Sequence, residues 1–133
     1  MQQYNSFLAI IPARKGSKGI PGKNLKKIAG KPMIQFTIEA AISVISSINI
    51  IISTDDYDVL NLSKKLGLEV PFIRPDSLST DSAKTSDVIQ HSLDWYQSKY
   101  NKLPANIILL QPTSPFRNAN DIGLAIINSP PLY

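Results

Sequence analysis

The sequence predicts an α/β fold, with a mostly parallel sheet of about four strands flanked by helices. Two observations carry this. Short apolar runs (FLAII, INIIIS and NIILL) alternate with longer segments whose apolar residues recur at helical spacing. The runs are apolar throughout rather than every second residue, as in strands covered on both faces. A third observation locates the chemistry: the first run empties into IPARKGSKGIPGKN, from Ile11 to Asn24, a glycine- and proline-rich basic loop without an acid.

Taken in order, Phe7 to Ile11 reads as a buried strand ended by Pro12 and the loop. Leu25 to Ala29 is a short extended piece before a turn at Gly30-Lys31. Pro32 suits the first position of a helix. The stripe Ile34, Ile38, Ala41, Ile42 and Ile45 continues that helix. Ile48 to Ser53 is the second strand. Thr54 or Asp55 can cap a helix through about Leu66, with Lys64 and Lys65 in its last turn and Gly67 just beyond. Leu68 to Ile73 is a third strand candidate, placed at an edge by Pro71. A polar loop follows to about Lys84. Thr85 or Ser86 can then cap a helix to about Tyr100, with Val88, Ile89, Leu93 and Tyr96 inward. Asn106 to Gln111 is the fourth strand. After PTSPFR, Asn118 and Asp121 have the spacing of a capping box for a helix to about Asn128.

At 133 residues the chain suits one domain, 1–133, with 43% hydrophobic residues and 18% charged, which excludes disorder. Seven of the fourteen basic residues lie between Arg14 and Lys31, and no acid precedes Glu39. A local cluster of this kind fits a compact polyanion better than a nucleic-acid track, and no stacking motif, zinc pattern or basic helix supports nucleic acid as a partner. The absence of cysteine excludes disulfides and thiolate metal sites. With no leader pattern and no run long enough to span a membrane, the expected location is cytoplasmic.

Ligands of parallel sheets bind beyond the carboxyl ends of the strands, so each loop leaving a strand is a site candidate. In the first loop Arg14, Ser17 and Lys23 can contact phosphate oxygens, and the glycines let backbone amides approach an anion. A nucleoside triphosphate is the simplest such ligand. The loop is not the common P-loop, because Lys23 is followed by Asn24 rather than Ser or Thr. Asn24 can read a base edge or cap a turn. Asp55 and Asp56 can hold a metal, although helix capping accounts for them better. Gln111 can face the cleft or satisfy loop backbone. His91, the one histidine, has no triad partners. Trp95, Tyr96 and Tyr100 read as packing.

Four segments, IPARKGSKGIPGKN, ISTDD, RP-x-x-L-x-x-D from Arg74 to Asp81, and LLQPTSPFR, together resemble the acylneuraminate cytidylyltransferases, the family of the CMP-sialic acid synthetases and their legionaminic and pseudaminic acid relatives. The resemblance runs to about Ile126; the enzymes for the eight-carbon sugar Kdo have a different first loop. It implies a Rossmann-like fold of the nucleotide-diphospho-sugar transferase type. It also implies a reaction in which a nonulosonic acid hydroxyl attacks the α-phosphate of CTP and pyrophosphate leaves, with Mg²⁺ helping. By the same resemblance Arg14 and Ser17 fall in the phosphate loop, with Lys23 balancing charge at the α-phosphate. Asn24, Arg74 and Thr85 hold the nucleotide, Ala83 lies beside the base, and Gln111 touches the cleft shared with the sugar. The family has a later Asp-x-Asp metal pair and homodimer contacts that the sequence does not contain, and NSPPLY does not resemble its continuation. The expectation is therefore a truncated member without metal ligands of its own: a cytidylyltransferase, or a CTP-binding half-domain with little or no activity.

Overall fold

The computed structural model describes residues 7–16 and 22–112. Three parallel strands form the central sheet: β1 (Phe7–Pro12), β4 (Ile50–Ser53) and β5 (Asn106–Leu109), in the order β4-β1-β5. Ile10 of β1 pairs with Ile51 on one side and Leu109 on the other. Because alternate residues face opposite ways along a strand, β1 divides the core in two. Phe7, Ala9 and Ile11 pack with α1 (Met33–Val44) and α2 (Tyr57–Lys65) through Ile34, Ile38, Ala41 and Val59. Leu8 and Ile10 pack with α3 (Thr85–Tyr100) through Leu93 and Tyr96. Helices thus cover both faces, as the unbroken apolar runs require.

The stripe of α1 is buried as expected, apart from a partly covered Ile42. Pro32 stands one residue outside the helix, with ψ 140°. It belongs to a small antiparallel hairpin, β2 (Lys27–Ile28) and β3 (Lys31–Pro32). The turn residues Ala29 and Gly30 have φ of 54° and 81°, the positive pair that a two-residue hairpin turn demands. The second strand starts at Ile50 rather than Ile48, because Ser47–Asn49 form a 3₁₀ turn that leaves Ile48 exposed.

Helix α2 is capped by neither Thr54 nor Asp55. Asp56 is its N-cap, its carboxylate accepting from the Asp58 amide at 2.9 Å. At the other end Gly67, with φ 97°, closes the helix as expected. The Leu68 and Gly67 amides donate back to the Ser63 and Lys64 carbonyls, and the buried Leu68 follows.

The expected strand from Leu68 to Ile73 does not form. Pro71 has no amide to donate to a ladder. The segment instead lays Val70 and Phe72 against the two halves of the core, and then meets the end of β4 through a backbone bond from the Arg74 amide to the Thr54 carbonyl. The parallel sheet therefore has three strands among the described residues, not four. Helix α3 begins at Thr85 with Lys84 as its N-cap, so neither Thr85 nor Ser86 caps it. His91 meets Phe72 edge-on at 4.5 Å between ring centroids, and Trp95, Tyr96 and Tyr100 form an aromatic cluster with one another. The region of PTSPFR beyond Pro112, and the helix expected after Asn118, lie outside the described residues.

Candidate functional site

The chain runs from β1 through α1 to β4 on one side, then crosses through α3 to β5 on the other. In an open parallel sheet this reversal leaves a crevice beyond the carboxyl ends of the two strands where it occurs, here β1 and β5. A cavity of about 460 Å³ lies there, lined by Pro12, Arg14, Lys23, Arg74, Leu78, Thr80, Asp81, Ala83, Thr85, Val88 and Gln111. A smaller one of about 110 Å³ adjoins it and shares Pro12, Arg14, Lys23 and Gln111, adding Ala13, Asn24 and Pro112. The volume suits a mononucleotide-sized ligand.

Six of the residues expected at the site, Arg14, Lys23, Arg74, Ala83, Thr85 and Gln111, thus line one cavity, and Asn24 lines its annex. Ser17 lies outside the described residues. The cavity wall carries three cations, Arg14, Lys23 and Arg74, against one carboxylate, Asp81. The first turn of α3 supplies Thr85 and Val88 to the same wall, so the positive end of a sixteen-residue helix adds to the cationic field.

Each charged group is placed by a specific contact. Arg14 pairs with Asp81 at 2.6 Å across the cavity mouth and also donates to the Gly16 carbonyl. Arg74 is buried, and its guanidinium anchors the polar loop. Nε donates to Ser53 Oγ at 3.1 Å, Nη2 to the Ser53 carbonyl at 2.8 Å, and Nη1 to the Leu78 carbonyl at 3.2 Å. A guanidinium has five N–H donors, so this anchoring leaves capacity toward the cavity. Burial pushes Arg74 below its ordinary value, Asp55 opposes that, and Arg14 reinforces it. Asn24 is buried in the 3₁₀ turn Lys23–Leu25. Its Nδ2 donates to the Arg14 carbonyl at 3.2 Å, while its Oδ1 has no hydrogen-bond partner among the described residues.

The two aspartates at the end of β4 are not a pair of helix caps. Asp56 caps α2, whereas Asp55 accepts from the Lys15 amide at 2.8 Å. No group of three or more His, Cys, Asp or Glu able to hold a metal occurs among the described residues. Asp55 and Asp56 each give one oxygen to a backbone amide, and Mg²⁺ is bound through one or two carboxylates together with substrate phosphates. Sequence reasoning gave no role to Thr80, Asp81 or Ser53. Asp81 closes one of the four motif segments and Ser53 lies in another, ISTDD, and those positions were the available signal.

A family model described as "Cytidylyltransferase" matches residues 8–127. The CMP-N,N'-diacetyllegionaminic acid synthase of Legionella pneumophila is 42% identical over 123 residues, covering 90% of this chain and 51% of that protein. The pseudaminic acid cytidylyltransferase of Campylobacter jejuni is 37% identical, covering 85% of this chain and 48% of that protein. The N-acylneuraminate cytidylyltransferase of Escherichia coli is 38% identical over 90% of this chain and 27% of its own length. Among solved structures, a CMP:2-keto-3-deoxy-manno-octonic acid synthetase complexed with CTP superposes with a TM-score of 0.68 at 27% identity, over 91% of this chain and 46% of that one. The chain spans about half the length of the first two relatives and about a quarter of the third. No helix among the described residues is long and apolar enough to cross a membrane.

Proposed function

Because the chain belongs to the cytidylyltransferase family, we propose that the cavity between β1 and β5 binds CTP and that the protein transfers CMP to a nonulosonic acid with release of pyrophosphate. The observation that carries this is the convergence of Arg14, Lys23 and Arg74 on one mononucleotide-sized cavity at the topological reversal of the sheet. The named reactions of relatives in the same family support it.

The triphosphate would lie over the loop that leaves β1. Arg14 and Lys23 there offset its charge, and fixed cations in a partly dry cleft stabilise charge that moves onto the leaving pyrophosphate. The unpartnered Oδ1 of Asn24 is a buried acceptor. It complements the 4-amino donor of cytosine and would meet an oxygen in uracil. A buried polar group left facing a like partner discriminates strongly. Calorimetry is therefore expected to show CTP binding at least about tenfold tighter than UTP. Equal affinity for CTP, UTP and ATP would reduce the cavity to a phosphate site. Pyrophosphate release from CTP in the presence of a nonulosonic acid is the readout of transfer.

A polyanion must also compete with Asp81 for Arg14. The carboxylate is 62% exposed, so the pair is weak and salt-sensitive. Asp81→Asn is expected to tighten CTP binding about two- to fivefold at low salt, with the gain shrinking as salt rises. Weaker binding in that variant would mean that Asp81 holds the cavity open rather than competing for it.

A further inference from the structure

Four of the backbone groups between Ala13 and Lys15 are held by bonds to Ser53, Thr54, Asn24 and Asp55, and the Lys15 carbonyl also accepts from the Gly22 amide at 3.3 Å. The Ala13 amide donates to the Ser53 carbonyl at 2.9 Å, and the Ala13 carbonyl accepts from the Thr54 hydroxyl. The Arg14 carbonyl accepts from Asn24, and the Lys15 amide donates to Asp55. Three of these four partners come from the consecutive residues Ser53, Thr54 and Asp55. Thr54 is fully buried and is itself fixed, its hydroxyl accepting from the Asp56 amide and its carbonyl from the Arg74 amide. The end of β4 therefore clasps the backbone on both sides of Arg14, whose side chain reaches the cavity.

We propose that Thr54 and Asp55 are positioning residues that hold the Arg14 backbone in register for the phosphates. This rests on the reading of the cavity as a CTP site. Asp55 supplies the sharper case, because its charge and its hydrogen bond predict opposite results. A carboxylate close to a bound triphosphate repels it, so removing the charge alone would tighten binding. Removing the acceptor releases the Lys15 amide and lets the Arg14 segment move, which weakens binding.

The test uses the chain and its Asp55→Ala and Asp55→Asn variants. Amide hydrogen exchange without ligand is measured first, then calorimetric binding of CTP and of cytidine. The expected result is faster exchange at Lys15 in Asp55→Ala, with α1 and α3 amides unchanged. CTP binding falls roughly tenfold or more in that variant, cytidine binding does not change, and Asp55→Asn, which keeps an acceptor oxygen, restores both exchange and CTP affinity. Unchanged exchange at Lys15, CTP binding in Asp55→Ala equal to or tighter than in the parent, or failure of asparagine to rescue would each overturn the proposal. If the parent chain binds no CTP, the function proposed above fails, and the positioning role for phosphates fails with it. The exchange arm then still reports whether the clasp exists as a structural feature.

Discussion

Arg74→Ala is expected to lower stability by about 2–4 kcal/mol, a larger effect than any other polar substitution considered for this chain. The guanidinium holds Ser53 Oγ, the Ser53 carbonyl and the Leu78 carbonyl. The Ser53 carbonyl keeps the Ala13 amide after substitution, but Ser53 Oγ and the Leu78 carbonyl lose the donors that Arg74 gives them. Hydrogen bonds from a charged donor contribute about 1.5–3 kcal/mol each, and they do not simply add when they share one side chain. The depressed pKa of Arg74 shows that burying the charge has a cost, and alanine recovers that part, which keeps the expected loss below the sum. Lysine keeps a charge but cannot span Ser53 and Leu78 together, so Arg74→Lys is expected to recover less than half. Urea unfolding measures this as a shift in midpoint at constant slope. A loss under about 1 kcal/mol for alanine would show that the polar loop does not depend on its anchor.

Arg14→Ala is expected to act on binding instead, weakening CTP by about 1.5–3 kcal/mol, or roughly ten- to 150-fold. Its partner in the ligand-free chain is a largely exposed Asp81, so the stability cost should stay below about 1 kcal/mol. The two arginines thus separate: one substitution moves the urea midpoint most, the other the calorimetric affinity. The Arg14 effect should also fall with ionic strength, since the ligand is a polyanion. Unchanged CTP affinity in folded Arg14→Ala would remove this residue from the site and with it the main support for a phosphate loop.

Much of this was legible along the chain because the signals are local. Period and composition identified β1, β4, β5 and the helices, since an apolar β-branched run or a 3.6-residue stripe states its burial without reference to partners. Gly67 was readable as a helix stop because a positive φ is a property of one residue. The Leu68 to Ile73 segment was misread because an apolar run bears the same signature whether it pairs in a ladder or only packs, and Pro71 tipped it to packing. The cap of α2 was placed one or two residues early because the neighbouring Thr54, Asp55 and Asp56 can each cap a helix and only their three-dimensional positions decide.

The motif residues of the candidate site were also legible, as members of short segments with distinctive chemistry. Their assembly was not. Asp81 and Arg14 are 67 positions apart in numbering, yet they meet at the mouth of one cavity. Asp55, expected as a cap, holds the Lys15 amide, and Arg74 both anchors the polar loop and lines the cavity. By itself the sequence determined β1, β4, β5, the three described helices and where positive charge gathers, because propensity, periodicity and composition are sums over neighbours. The tertiary structure decided which strand ends share a crevice and which donor meets which acceptor. Those outcomes depend on the order β4-β1-β5 and on hydrogen bonds between residues tens of positions apart, where geometry within a few tenths of an ångström selects the partner.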